Sequence, residues 1–294
     1  MNKHQIISLI KLIRPTQWIK NGFVLMPLVF GGRLFSLCDT FRAFTALVAF
    51  CLAASATYII NDYMDMDRDR IHPLKKDRPL ASGAITPMIG MALAASLVIV
   101  MFLTIILFRL PISTLWILVS YIILNCLYSW KFKNWVIIDV LVVSFGFLLR
   151  ILAGGLAVNV ELSSWLILCT FSVATFLVLG KRRHEVISLH RAASIHRPVL
   201  ESYSIGFIDQ LLQIVTTSTF IFYCLYAVTG ASGNIHSEKM IITIPLVTYG
   251  IFRYLYLIYQ KGVGGSPTEL LLADYPLLIC VMIWLACCII VIYM

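Results

Sequence analysis

The sequence predicts an all-α integral membrane protein of nine transmembrane helices in one bundle, with the N-terminus cytoplasmic and the C-terminus outside. Three observations carry that expectation. First, 60% of the 294 residues are hydrophobic and 13% are charged, and the mean hydropathy is +0.92. Soluble domains are about 45–50% apolar and about 25% charged, so the bilayer has to act as solvent for this chain. Second, the apolar residues come in long unbroken runs. A transmembrane barrel, the other fold that satisfies every backbone polar group in lipid, would show short alternating strands instead. Third, lysines and arginines gather in alternate loops.

The apolar runs lie at about 21–37, 41–61, 85–108, 112–130, 135–158, 164–180, 208–230, 240–259 and 272–293. Each is close to the about 20 residues that cross a bilayer, and residues 1–294 read as a single transmembrane domain. No cleavable signal peptide is visible, because the first run follows a basic, polar stretch and no small-residue cleavage site comes after it. The eight cysteines show no metal-type spacing. Seven of them, Cys51, Cys126, Cys169, Cys224, Cys280, Cys287 and Cys288, lie in apolar runs, where they read as small core fillers.

Orientation follows from the cations. Lys3, Lys11, Arg14 and Lys20 precede the first run, and Arg68, Arg70, Lys75, Lys76 and Arg78 follow the second. Lys131 and Lys133 follow the fourth run, Lys181, Arg182, Arg183, Arg191 and Arg197 the sixth, and Lys261 the eighth. The opposite loops hold only Arg33, Arg42, Arg109 and Lys239. The segments about 61–84, 131–134, 181–207 and 260–271 are therefore the expected cytoplasmic active-site loops. The same bias, with anionic lipid headgroups as partners, accounts for the net charge of +9 without a nucleic acid.

Chemistry concentrates in the run Asn61-Asp62-Tyr63-Met64-Asp65-Met66-Asp67-Arg68-Asp69. On a helix, Asp62, Asp65 and Asp69 fall within a sector of about 60°, with Asp67 on the opposite side. Carboxylates on one stripe repel each other, and a divalent cation relieves the repulsion. Hard oxygen ligands suit Mg²⁺ bound together with a substrate's phosphates. A solvated, capped helix end is the plainer account, but it gives no reason for three acids on one face. Lys75, Lys76 and Arg78 follow directly and are natural phosphate partners, although taken alone they are ordinary positive-inside charge.

Asp139 and Arg150 lie within a run, and charges there are costly. Eleven residues apart, they share a face about 16 Å apart along the axis and cannot pair. Asp139 is expected near the cytoplasmic end, facing the Asp62 cluster or Lys133, and Arg150 deeper in the bundle. The plainer accounts are an interfacial Asp and an Arg bonded to helix carbonyls. Arg253, amid Tyr249, Tyr254 and Tyr256, reads as structural or as snorkelling to the lipid interface. His184, His190 and His196 read as loop residues, their six-residue spacing unsuited to a shared metal.

These residues carry a resemblance. Asn61-Asp62-x-x-Asp65-x-x-x-Asp69 resembles the first aspartate motif of the UbiA superfamily of intramembrane prenyltransferases, which are nine-helix proteins. Further segments resemble one branch, the decaprenyl-phosphate phosphoribosyltransferases. They are Arg14-Pro-Thr-Gln-Trp18-Ile-Lys20-Asn21, the Arg70-x-His72-Pro-x-Lys75-Lys76-x-Arg78 run to Gly83, and Tyr128 to Lys133. Asp139 with Gly146 to Gly155, and Gly180-Lys181-Arg182-Arg183-His184-Glu185, complete the set. The aromatic prenyltransferases of the superfamily carry a second Asp-rich motif near the end of span six. Here that place holds one carboxylate, Glu185, behind three cations, which implies fewer metals and more bare phosphate.

The resemblance implies Mg²⁺ on Asp62, Asp65 and Asp69, the metal-binding and catalytic set. It implies transfer of 5-phosphoribosyl from phosphoribosyl diphosphate to a polyprenyl phosphate for cell-envelope glycan precursors, in a bacterial-type inner membrane. The expected substrate-binding residues are Lys20, Asn21, Asn61, Lys75, Arg78, Tyr128, Lys133, Asp139, Arg150, Lys181, Arg182 and Glu185. The lipid tail is expected in a groove between helices, with Gly154 and Gly155 as its thin wall. Two other readings stay open: a prenyltransferase acting on an aromatic, quinone or haem acceptor, and a non-catalytic transporter or lipid-binding scaffold. The partners implied are the two substrates and membrane lipids, and no residue specifies an oligomer or a polyprenyl length.

Overall fold

The computed structural model describes residues 3–71, 75–191, 198–229 and 237–294. Its twelve helices are α1 (Lys3–Ile13), α2 (Met26–Phe30), α3 (Leu37–Met64), α4 (Met66–Ile71), α5 (Pro87–Leu107), α6 (Ile112–Trp130), α7 (Ile138–Val158), α8 (Ser164–Arg191), α9 (Ile205–Thr229), α10 (Ile244–Tyr259), α11 (Pro267–Ala273) and α12 (Tyr275–Tyr293). Among the described residues, eight helical stretches are long and apolar enough to cross a membrane: α3, α5, α6, α7, α8, α9, Lys239–Tyr259 and α12. The chain is a multi-pass, all-helical membrane protein.

The first expected span, 21–37, is not among those eight. Its place is taken by a 3₁₀ helix, Pro15–Leu25, and the five-residue α2. Runs of 3₁₀ beyond three or four residues are uncommon, and this one is held from outside. Trp18 Nε1 donates to Ser55 Oγ at 3.0 Å, and Ser55 Oγ donates to the Ile13 carbonyl at 2.9 Å. Asn21 Nδ2 lies 3.2 Å from Cys51 Sγ, and Thr40 Oγ1 donates to the Leu34 carbonyl at 2.8 Å. With Arg14 paired to Asp62, the partners at 62, 55, 51 and 40 mean that residues 14–34 run antiparallel along α3. Gly32 turns the chain at a φ of 69°. Tyr293 Oη fastens the far end, accepting the Leu34 N–H at 2.8 Å and lying 3.2 and 3.0 Å from the Leu28 and Val29 carbonyls.

α3 is the centre of the bundle. Its inward positions are small (Ala43, Ala46, Ala49, Ala53, Ala54 and Ala56, all buried), so neighbouring backbones approach closely. Caps fix where helices begin: Ser36 accepts the Asp39 N–H at 3.3 Å, and Asp274 accepts the Leu277 N–H at 3.0 Å. Two expected boundaries move. α8 runs to Arg191, so 181–191 is helix rather than loop, and His184 is a helical residue. α1 occupies a stretch that the sequence left without a helix.

Gly154 and Gly155 do not line a groove. A Cβ at Gly154 would lie 1.9 Å from the Val24 carbonyl oxygen, and one at Gly155 would lie 3.2 Å from Leu162. The first lets the 3₁₀ segment lie against α7, and the second accommodates the turn after α7.

Candidate active site

The acids come together where α3 ends. Asp65 leaves helical geometry at φ −96°, ψ 2°, and α4 resumes at Met66. Asp62 and Asp69 turn inward and are buried, whereas Asp67 is 85% exposed and pairs with Arg70 at 3.0 Å. Asn61 Oδ1 accepts from Ser129 Oγ of α6 at 2.8 Å. The inward acids each hold a cation. Arg14 Nη2 donates to both oxygens of Asp62, at 2.5 and 2.8 Å. Arg78 Nη1 lies 3.0 Å from Asp62 Oδ1 and 2.6 Å from Asp69 Oδ2. Lys133 pairs with Asp65.

Arg78 shows that Asp62 and Asp69 converge on a single cation position. Two hard carboxylates at one point suit Mg²⁺ that completes its shell with substrate phosphates and water. Among the described residues, no group of three or more His, Cys, Asp or Glu side chains could hold a metal together. The donor set thus fits a two-carboxylate site shared with substrate. It does not form the three-carboxylate cage of a straight stripe, because the break at Asp65 leaves that carboxylate on Lys133.

Asp139 does not face the Asp62 cluster. It is fully buried, accepts from Tyr203 Oη at 2.7 Å, and has Arg182 Nε 2.8 Å from its other oxygen. Those last two atoms are not aligned as a hydrogen bond, so their attraction is ionic. Arg182 also donates to Glu185 Oε2 at 2.5 Å and to Tyr128 Oη at 3.1 Å. Arg182 is therefore committed to protein partners, and the 181–185 segment presents Lys181, 3.7 Å from Glu185 Oε1, as its more exposed cation. Tyr203 Oη also accepts the Ile137 N–H at 2.7 Å. Ile137 has φ 69°, ψ −47° and heads α7 through a bond from Ile138 N–H to the Val136 carbonyl. A β-branched residue rarely sits there. Burial and the Asp139 carboxylate push the Tyr203 phenol above its ordinary pKa, which keeps it a donor.

Lys20 is half-buried, and its Nζ donates to Gln17 Oε1 at 2.6 Å. Its pKa falls from 10.5 to about 8, through burial first and then the charges of Lys181, Arg150 and Arg14, with Glu269 opposing. Arg150 Nε donates to Asn21 Oδ1 at 2.9 Å, and its other nitrogens reach the Gly146 carbonyl at 2.8 Å and Tyr121 Oη at 3.1 Å. Phe50, Tyr121 and Phe147 surround the guanidinium at 4.9–5.2 Å. It thus combines the deep position and the carbonyl bond expected of it. Lys75 accepts the Arg78 N–H at its carbonyl, 3.0 Å away.

Away from the site, Arg253 forms a two-point pair with Asp274 at 3.1 and 2.8 Å. His184 Nδ1 lies 3.1 Å from the Gly262 carbonyl. His72, Pro73 and His196 lie outside the described residues, as does the side chain of His190. Arg14, Gln17, Tyr203 and Glu269 were absent from the expected site. Arg14 carried a signal, since it heads a quoted motif, but Tyr203 carried none.

Buried carboxylates, arginines and lysines thus interlock where α3 ends and α7 begins in this membrane bundle. The chain belongs to the UbiA prenyltransferase family, whose profile matches residues 24–267, and is a transferase of that superfamily. It is 33% identical to the decaprenyl-phosphate phosphoribosyltransferase of Mycolicibacterium smegmatis, over 96% of this chain and 92% of that one. It is 32% identical to the enzyme of the same name from Corynebacterium glutamicum, over 97% and 87%. A UbiA homologue from Archaeoglobus fulgidus, solved with GPP and Mg²⁺, superposes with a TM-score of 0.72 at 19% identity, covering 98% of this chain and 100% of that one. That likeness shows the fold.

Proposed function

We propose that the protein transfers 5-phosphoribosyl from phosphoribosyl diphosphate to a polyprenyl phosphate of the decaprenyl type, releasing pyrophosphate, with Mg²⁺ bound alongside the donor. The near full-length relatives named for that reaction support it. The observation that carries it is the gathering of cations at this end of the bundle: Arg14 and Arg78 on Asp62, Lys133 on Asp65, and Lys20 under the positive charges of Lys181, Arg150 and Arg14, with Glu269 opposing. A 5-phosphate, a diphosphate and a lipid phosphate brought together are anions that such a cluster of cations suits. The positive bias of the loops supports a cytoplasmic face for the site, the bacterial relatives support an inner membrane, and supply of a cell-envelope glycan precursor is the role that we assign to the product.

Asp62 and Asp69 would hold Mg²⁺, with Asp65 beside them. Bound there, it supplies charge neutralisation to the departing diphosphate. The chain's residues do the rest. Arg78 and Lys75 face the leaving group, and Lys20 with Lys181 orients the acceptor phosphate. One acceptor oxygen forms the bond to the anomeric carbon. The bond from that carbon to the diphosphate breaks, and its electron pair leaves with pyrophosphate. The phosphate is already an anion, so no strong general base is required.

In nanodiscs with Mg²⁺, phosphoribosyl diphosphate and polyprenyl phosphate should yield pyrophosphate and a phosphoribosylated lipid. A prenyl diphosphate with 4-hydroxybenzoate should yield neither product. Turnover with the second pair alone would overturn this reading. Asp62→Asn should abolish release, while the exposed Asp67→Asn should stay within about twofold of wild type, as surface changes away from a site usually do.

Lys20 sets a pH limb. It loses its charge in the free site as pH rises through about 8, so KM for the phosphates should climb above that pH. Lys20→Met should have a high, flat KM, and Lys20→Arg should remove the limb, since guanidinium stays charged. Steady-state KM between pH 6.5 and 9.5 checks this. Stability moves the other way. Between about 8 and 10.5 the unfolded chain binds the extra proton, so this group's contribution to folding grows as pH rises.

A further inference from the structure

The carboxylates that suit a metal are already engaged. Asp62 is 2% exposed, with both oxygens on Arg14 and one of them also on Arg78. Asp69 holds the same Arg78 nitrogen. A divalent cation entering beside Asp62 and Asp69 would place its two charges against two guanidiniums already there. Both cannot share those oxygens, so entry means exchange.

Arg14 is built into the fold in a way Arg78 is not. Its backbone is left-handed, at φ 56°, ψ 60°, an uncommon region for a residue with a side chain. Such conformations persist when surrounding contacts over-determine them. Here those contacts are the two-point bond to Asp62, the Tyr58 ring 5.3 Å from the guanidinium, and the Gln17 N–H on the Arg14 carbonyl at 3.0 Å. That last bond opens the 3₁₀ segment carrying Lys20 and Asn21. One residue therefore ties the acidic site to the segment that bears the Lys20 cation.

We propose that Arg14 is a positioning residue for the donor: it is the resident counter-ion of Asp62 in the free protein, is displaced when a metal-bound diphosphate enters, and then pairs with that diphosphate. The exchange leaves each charge with a counter-ion, since the metal replaces Arg14 on the carboxylate while the diphosphate's negative oxygens become the new partner for its planar fork. Because Arg14 heads the 3₁₀ segment, the same exchange sets the position of Lys20. The inference rests on the site's holding a metal-bound diphosphate, a property shared by phosphoribosyl and prenyl donors alike.

The test uses Mn²⁺ as the metal and inorganic pyrophosphate as the diphosphate, with the full chain in nanodiscs and free Mn²⁺ read by electron paramagnetic resonance. Wild type should bind Mn²⁺ weakly alone and more tightly with pyrophosphate. Arg14→Gln removes the competitor and should tighten Mn²⁺ alone by about five- to tenfold, a partly buried ion pair's worth, while pyrophosphate's enhancement shrinks. Arg14→Lys, which keeps the charge but not the fork, should fall between them and serves if the glutamine variant does not fold. Mn²⁺ affinity unchanged or weakened in either folded variant, with the pyrophosphate enhancement intact, would overturn the exchange. Neither probe contains ribose or a prenyl chain, so a wrong donor assignment leaves these outcomes untouched.

Discussion

Asp139→Leu should destabilise the folded protein by about 3–5 kcal/mol, the cost of stranding one member of a buried ion pair. Asp139 is fully buried and faces Arg182, which is 3% exposed. Removing the acid leaves Arg182 with Glu185 and Tyr128 and deprives Tyr203 of its acceptor. Arg182→Met should cost as much, because Asp139 then keeps only the Tyr203 hydroxyl. The double variant Asp139→Leu/Arg182→Met should recover a large part of the loss, since an apolar replacement of a whole buried pair is often neutral. Thermal unfolding in one detergent, read by tryptophan fluorescence, checks all three. A double variant as unstable as the sum of the single ones would mean that the pair is not the unit of stability.

Gly154→Ala should also be damaging, for a steric reason. Its methyl would sit 1.9 Å from the Val24 carbonyl oxygen and 2.9 Å from the Val24 carbonyl carbon, both backbone atoms. Backbone cannot swing aside as a side chain does, so the 3₁₀ segment must move away from α7. Overpacking of this kind costs about 1–3 kcal/mol. The displaced segment carries Lys20 and Asn21, so KM for the phosphate substrates should rise as well. Gly155→Ala is the milder comparison, because its nearest contacts, the Leu162 side chain and the Val160 carbonyl oxygen, are 3.2 Å away. A lowered melting temperature and raised KM for Gly154→Ala, with clearly smaller changes for Gly155→Ala, is the expected pattern.

The long spans were legible because hydropathy is a local sum that later folding does not change. The segregation of Asp67 from Asp62 and Asp69 was legible for a similar reason, since the helical angle between them is fixed by spacing alone. The break at Asp65 was not, because nothing in Met64-Asp65-Met66 stops a helix as Pro or Gly would. The irregular form of the first expected span was not legible, for a different reason. Residues 21–37 are apolar enough for a helix, but Pro15, Gly22, Pro27, Gly31 and Gly32 punctuate the region, and bonds from α3 supply what a regular helix would have provided. Ion pairs were the least legible feature. Arg14 and Asp62 are 48 residues apart, and Asp139 meets Arg182 only because α7 and α8 pack side by side. Sequence marked the charged residues but not their partners.

The Tyr293 hydroxyl has a consequence for biogenesis. It serves the backbone of Leu28, Val29 and Leu34 across as many as 265 positions of sequence. The Leu28 and Val29 carbonyls also accept the Arg33 and Gly32 N–H groups, but the Leu34 N–H is served by Tyr293, and a backbone group without a partner in lipid costs several kcal/mol. A ribosome emits the stretch around Leu34 early and α12 last of the described helices. The far end of the early-made segment is therefore fastened only when α12 arrives beside it, and a nascent chain arrested before α12 carries every acid of the site with that end still untied.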